Sequence, residues 1–153
     1  MINYTLFRPR DLILFFKPLE NGRFVLPLKR ENINSLVDTY SGELAKEIKN
    51  ELASFYTNIQ VETIFNALAG MYPRPTTYVQ ALSIIESNCR DVDGEKLLDY
   101  LFDRSVIGTL DGNGWYWFKC RQPLGCSNPM RLDRSQQIVL QYGIRTYVRQ
   151  RCA

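Results

Sequence analysis

The feature that most constrains the fold is a pair of β-rich runs separated by a short polar turn. The first run is Val106–Leu110, the turn is Asp111–Gly114, and the second run is Trp115–Arg121. Glycine, asparagine and aspartate tolerate the backbone angles of tight turns, and the flanking residues are β-branched or aromatic. These residues therefore predict a β-hairpin.

Helical periodicity precedes this hairpin. Apolar residues at helical spacing predict a helix between residues 94 and 104, and two earlier short helices are predicted around residues 61–68 and 79–89. Asp93 is positioned to cap the third helix, and Thr76 or Thr77 the second. Three short helices followed by a hairpin outline a winged-helix module, that is, a helix-turn-helix plus a wing. We expect residues 58–153 to form such a domain, with a strand and a helix at its C-terminal end.

The segment 1–57 is predicted to be helical and lid-like. Its longest helix carries an apolar stripe that recurs every three or four residues from Ile33 to Phe55, with a potential kink at Ser41-Gly42. A short helix over residues 8–16 is expected to be ended by Pro18 and Asn21-Gly22, and residues 24–26 form a possible short strand. The expected fold class is thus mainly α with a small β-hairpin: an N-terminal helical segment followed by a winged-helix domain.

Composition limits the class of protein. The 153 residues are 45% hydrophobic and 23% charged, which is typical of a globular domain. The sequence contains no apolar run of transmembrane length and no signal-peptide pattern at its N-terminus. We therefore expect a cytoplasmic protein that does not engage a membrane. In a reducing compartment, the four scattered cysteines do not predict a disulfide framework.

Positive charge is concentrated at the C-terminal end. Residues 1–114 carry 12 Lys/Arg and 15 Asp/Glu, a net −3, whereas residues 115–153 carry 7 Lys/Arg and only Asp133, a net +6. One interpretation is a surface for phosphate or for an acidic partner. The alternative is that these arginines pair with the acidic remainder of the fold.

Residues that commonly carry catalysis are missing. The chain has no histidine, and no G-x-x-x-x-G-K-[ST] phosphate-binding loop occurs. The cysteines at 89, 120, 126 and 152 lack the paired spacing of a structural zinc site. We expect a protein that is not an enzyme, with no metal and no cofactor.

The hairpin's second strand predicts two different faces. Alternation places Trp115, Trp117, Lys119 and Arg121 on one face, and Tyr116, Phe118 and Cys120 on the other. The first face suits a nucleic-acid strand or a protein hot spot. An alternative is that both tryptophans cover the long N-terminal helix. The second face is expected to cover the helical core, so that Phe118 lies with the following residues: Leu98, Leu101, Phe102 and Ile107.

The predicted third helix disfavours DNA reading through its exposed side. In DNA-reading winged helices this helix enters the major groove and presents Arg, Lys, Asn or Gln. Here its flank is dominated by five carboxylates, against Lys96 and Arg104. These carboxylates are Asp91, Asp93, Glu95, Asp99 and Asp103. Phosphate would be repelled, which favours contact with a protein.

Three stretches resemble the C-terminal region of bacterial P-loop ATPases of the AAA/STAND-like type. Arg8-Pro9-Arg10-Asp11-Leu12-Ile13 is similar to the start of their helical lid. Residues 101–108, followed by 117–121, resemble their winged hairpin, and residues 138–145 resemble a third segment. The resemblance implies a lid plus a winged helix without the ATPase core. It also implies that Arg10 corresponds to a lid arginine that senses nucleotide phosphates, although this chain offers no nucleotide site. The chain is either a fragment of such a protein or a separate product derived from its tail.

The leading hypothesis is therefore a non-enzymatic binding or regulatory module that contacts a protein partner or a second copy of itself. The competing hypothesis is a nucleic-acid-binding protein that uses the basic hairpin and the C-terminal helix. Both predict the same set of contact residues: Trp115, Trp117, Lys119, Arg121, Arg131, Arg134 and Arg145.

Overall fold

The computed structural model describes residues 9–20, 27–121 and 130–152. Within them the fold is mainly α-helical with a small antiparallel sheet. The helices are α1 (Pro9–Glu20), α2 (Arg30–Leu52), α3 (Asn58–Gly70), α4 (Tyr78–Asn88), α5 (Gly94–Asp103) and α6 (Tyr142–Cys152). The strands are β1 (Thr76–Thr77), β2 (Ile107–Leu110), β3 (Tyr116–Trp117) and β4 (Gln137–Leu140). The possible strand at residues 24–26 lies outside the described residues.

Side-chain caps fix where the three short helices begin. Thr57 and Gln60 form a capping box at the start of α3, and Thr77 and Gln80 form another at the start of α4. The Asp93 carboxylate accepts the backbone N–H of Lys96 at the start of α5. The predicted caps at Thr77 and Asp93 are confirmed.

The N-terminal helices continue through two positions that the sequence marks for a kink or an end. α2 runs unbroken past Ser41-Gly42, where the Ser41 hydroxyl donates to the Val37 carbonyl at 2.7 Å. Of the predicted end signals Pro18 and Asn21-Gly22, Pro18 does not end the first helix, because α1 continues to Glu20, the residue before Asn21. Proline removes one N–H near the C-terminal end of this helix, and the last turn forms without it.

A single cluster of buried residues forms the core. It extends from Phe15 in α1 through the α2 stripe to Ile144 and Val148 in α6, so both predicted segments contribute to it. The most extensive helix contact is between α2 and α6, and α3 packs against both α4 and α6. The predicted core residues Leu98, Leu101, Phe102 and Ile107 all belong to this cluster.

The sheet is larger than the predicted hairpin. Its strand order is β1-β4-β2-β3, and every neighbouring pair is antiparallel. β2 and β3 form the expected hairpin, with Thr109 opposite Trp117, and β4 lies on the other side of β2. The positive φ of 84° at Gly114 shows why this turn requires glycine.

Phe118 corrects the predicted hairpin faces. It is buried, as expected, but it does not belong to the core cluster that contains Ile107. The register places Trp117 opposite Thr109, so Trp117 shares the face of Thr109 and Ile107. Phe118 falls on the reverse face, against Gly108. The Tyr/Phe face of the hairpin therefore does not cover the helical core.

Candidate functional site

The hairpin tip is held by one carboxylate. Asp111 Oδ1 accepts the backbone N–H groups of Asn113 and Trp115, each at 2.9 Å, and Asp111 Oδ2 accepts the indole N–H of Trp117 at 3.0 Å. The bond from Trp117, followed by that from the Trp115 backbone, lowers the pKa of Asp111 below its ordinary value. The turn and the Trp117 ring are thus fixed relative to each other.

The two tryptophans are presented to solvent. Trp115 is 67% exposed and Trp117 is 47% exposed. The alternative in which both tryptophans are covered by the long N-terminal helix is therefore wrong. Large aromatic side chains are usually mostly buried, so these two exposed rings are a candidate contact surface.

Lys119 and Arg121 do not continue the tryptophan face, which corrects the predicted alternation. β3 ends at Trp117, and residues Lys119–Arg121 form a short 3₁₀ turn. Lys119 forms an ion pair with Asp103 of α5, and the Arg121 guanidinium lies 5.3 Å from the centre of the Phe118 ring. Strand alternation applies only as far as the strand extends.

A cleft of about 520 Å³ lies between α5 and residues 130–134. Three predicted cations come together there, Lys119, Arg131 and Arg134, with Asp99 and Asp103 on the opposite wall. Arg134 reaches Glu95 at 3.1 Å and Asp99 at 3.6 Å. Positive and negative charges offset each other in this cleft, as expected if the arginines pair with the acidic remainder of the fold.

Arg134 also lies over an aromatic ring. Its guanidinium is 5.0 Å from the centre of the Tyr78 ring. Burial raises the pKa of Tyr78, with Arg134 acting in the opposite direction and nearby carboxylates in the same direction. The phenol therefore stays neutral at physiological pH, and Arg134 contacts it through its ring face.

The two described thiols are poorly suited to covalent chemistry. Burial raises the pKa of both Cys89 and Cys120. The thiolate is the reactive form of cysteine, so these side chains are predominantly protonated near neutral pH. Cys120 is held in place by its backbone N–H, which donates to the Ser105 hydroxyl at 2.7 Å.

Arg145 lies apart from the cleft. Its Nε–H donates to the Leu140 carbonyl at 2.8 Å, and its guanidinium lies 5.5 Å from the centre of the Tyr116 ring and 5.0 Å from that of Tyr142. Arg145 lines a second cavity, of about 270 Å³. The hairpin contributes to this region through Tyr116, whereas the tryptophans lie on the opposite side of the strand.

Arg10 is also separate from the other predicted residues. Its side chain is largely exposed on α1 and lies 3.5 Å from Glu47 of α2. The contact joins two helices. A phosphate-sensing role for Arg10 stays a prediction from the resemblance.

Four residues of the Arg145 region were not among those predicted. Tyr142 and Arg149 share a face of α6 with Arg145, a spacing that could have been read from the sequence. Tyr72 and Tyr116 come from distant parts of the chain. No local pattern indicates that they approach α6.

In the described ranges, no cluster of three or more His, Cys, Asp or Glu side chains is arranged to hold a metal ion. Within the same ranges, no helix combines the length and the apolarity needed to cross a bilayer.

The chain matches no protein-family model, no curated protein and no solved structure. Proposals about its function therefore depend on its own residues and geometry.

Proposed function

We propose that this chain is a non-enzymatic binding module of winged-helix type that contacts a protein partner through the tip of its hairpin. The hairpin tip comprises Asp111–Trp117. The observation that carries the proposal is the exposure of two tryptophans on a turn whose backbone and one indole are hydrogen-bonded to a single carboxylate.

The order of elements supports the winged-helix interpretation. From α3 to β4 the chain runs helix, strand, helix, helix, strand, strand, strand, and on the winged-helix interpretation the β2–β3 hairpin is the wing. β1 pairs with β4, and β4 pairs with β2, so the sheet joins the strand before α4 to the strands after α5. Descent from the tail of a P-loop ATPase remains a proposal based on the three resembling stretches.

The charges around α5 favour a protein over duplex DNA as the ligand of the surface that α5 forms. On the winged-helix interpretation, α5 corresponds to the helix that reads DNA in such proteins. Its carboxylates Glu95, Asp99 and Asp103 are paired with Arg134 and Lys119. Cations that would otherwise contact phosphate are thus engaged within the fold, and the helix offers no excess of positive charge.

Exposed tryptophans are suited to a protein contact because they bury a large area on binding at a small cost in conformational entropy. The fixed conformation of the turn that carries them also favours binding. The Asp111 bonds fix the turn before a partner arrives, which reduces the ordering cost at the interface. We therefore expect Trp115 and Trp117 to account for most of the binding free energy.

The test compares a double variant with a matched control. Tagged wild-type chain, Trp115→Ala/Trp117→Ala and Phe55→Ala are used as baits in a lysate of the source cells. Phe55 is 68% exposed but lies outside the hairpin, so its removal tests for nonspecific aromatic binding. A partner retained by wild type and Phe55→Ala, and lost by the double variant, is then purified and titrated against the chain.

The titration uses the only two tryptophans of the chain as reporters. Their emission should shift to shorter wavelength when the partner covers them. Retention of the partner by the double variant, or an unchanged emission at saturation, would contradict contact at the hairpin tip. Turnover of ATP by the purified chain would overturn the non-enzymatic part of the proposal.

A further inference from the structure

We propose that the exposed face of α6 beside the hairpin binds the phosphate groups of single-stranded nucleic acid. Arg145 and Arg149 are the residues that would contact phosphate. The site goes beyond the protein contact proposed for the hairpin tip and uses different side chains. We refer to it as the α6 face, defined by Tyr72, Tyr142, Arg145 and Arg149.

The four residues lie around one cavity. Tyr142, Arg145 and Arg149 are spaced at i, i+3 and i+7 along α6, which places them on one side of the helix. Tyr72 comes from the segment after α3. The cavity is about 270 Å³ and is lined by the following residues: Tyr72, Pro73, Tyr142, Arg145, Thr146 and Arg149.

Arg145 is positioned before any ligand binds. Its Nε–H donates a hydrogen bond to the Leu140 carbonyl at 2.8 Å. Its guanidinium lies 5.5 Å from the centre of the Tyr116 ring and 5.0 Å from that of the Tyr142 ring. A guanidinium has five N–H donors, so the two terminal nitrogens keep donors for a ligand. A fixed planar fork matches the oxygen geometry of phosphate.

The charge around this cavity differs from that of the α5 cleft. No aspartate or glutamate is among the residues that line it. The ion pairs found in the described part of the chain include neither Arg145 nor Arg149. By contrast, Arg134 is held by both Glu95 and Asp99. The α6 face therefore has a positive charge that an anion can neutralise.

The tyrosines favour a single nucleic-acid strand over other anions. Tyr72 and Tyr142 border the same cavity as the two arginines. Aromatic rings beside a basic groove stack with unpaired bases while the cations follow the phosphates. A duplex keeps its bases stacked within the helix, and an acidic polypeptide has no bases.

The test measures the binding of a fluorescently labelled mixed-sequence single strand of DNA to the full chain at several salt concentrations. A duplex of the same sequence, polyglutamate and inorganic phosphate serve as competitors. The variants are Arg145→Ala, Arg149→Ala and, as the control with the same change in charge, Arg134→Ala. Arg149 is exposed, so its removal should leave the fold intact even if Arg145→Ala is destabilising. Thermal unfolding of each variant checks this.

We expect Arg145→Ala and Arg149→Ala each to weaken binding about tenfold, since a hydrogen bond to a charged group contributes roughly that factor. Each should also reduce the dependence of affinity on salt, because fewer counterions are released. Arg134→Ala should bind as wild type does. The proposal is overturned if wild type does not bind the strand, if folded Arg149→Ala binds as well as wild type, or if Arg134→Ala loses as much affinity. Equal competition by duplex, polyglutamate or inorganic phosphate would also overturn the assignment of a single strand.

Discussion

Gly108 of β2 is closely approached by Trp117 and Phe118 of the neighbouring segment. A Cβ atom added there would lie 2.5 Å from Phe118 Cδ1 and 2.5 Å from the Trp117 carbonyl oxygen. The ring could move, but the carbonyl belongs to the paired strand. We predict that Gly108→Ala lowers the free energy of unfolding by about 1–3 kcal/mol, the range typical of overpacking. Chemical denaturation measures this directly.

Gly42 provides the matched control. It lies inside α2, and a Cβ added there meets nothing within 4 Å. Alanine is favoured over glycine in a helix interior, so Gly42→Ala should raise the free energy of unfolding by about 0.5–1 kcal/mol. A Gly108→Ala chain that is stabilised as much as the Gly42→Ala chain would contradict the close approach at Gly108.

Trp117 at the end of β3 and the next residue, Phe118, predict different costs for removing an aromatic ring. Phe118 is 1% exposed and Trp117 is 47% exposed. Phe118→Ala should lower the free energy of unfolding by about 3–5 kcal/mol, as expected for a fully buried ring. Trp117→Ala should cost less, since much of its ring is already in water. A larger loss for Trp117→Ala than for Phe118→Ala would show that the hairpin register is wrong.

At the scale of elements, α4 depends on its N-terminal cap. The Thr77 hydroxyl accepts the backbone N–H of Gln80 at 3.3 Å, and the Gln80 side chain accepts the backbone N–H of Thr77 at 3.0 Å. Thr77→Ala should lower the free energy of unfolding by about 1 kcal/mol. As a control, Thr39→Ala removes a solvent-exposed threonine from the middle of α2 and should change the free energy of unfolding little. Similar values for the two variants would argue against the cap.

The hairpin should respond to acid through Asp111. Its pKa is lowered in the fold, so the bonds to Trp117 and to the turn contribute stability above the carboxyl's ordinary pKa and lose it as pH falls through the lowered pKa. Asp111→Asn carries no such charge, and its stability should fall less on acidification. The difference between the pH profiles of unfolding free energy for wild type and Asp111→Asn separates the contribution of Asp111 from that of the other carboxylates. Parallel pH profiles of unfolding free energy would contradict this role.

At the scale of the whole molecule, helices were predictable because their signals are local. The α2 stripe, the Thr77 cap and the Asp93 cap each depend on residues within a few positions of one another. β1 was missed because it has two residues and exists only through pairing with β4, about sixty positions later along the chain. The side of the sheet occupied by Phe118 was also missed, since the register with β2 decides it.

The proposed binding surfaces were likewise predictable only where local spacing decides them. Exposure of Trp115 and Trp117 was one of two interpretations of the sequence, and the structure selects it. That Lys119 pairs with Asp103, and Arg134 with Asp99, depends on contacts between distant segments, which no local spacing reveals. The basic C-terminal end is therefore divided by the fold. Part of its charge is offset at α5, and part stays available on α6.

The proposed function requires the hairpin tip to be free in solution. Both tryptophans of the chain lie there, so its intrinsic emission reports on this element alone. The most direct measurement is emission and acrylamide quenching of the purified chain over a range of concentrations. We predict emission typical of exposed indole and efficient quenching that does not depend on concentration. Short-wavelength emission protected from acrylamide at the lowest concentration would show that the hairpin packs on the body of the molecule, and would contradict the proposed contact surface.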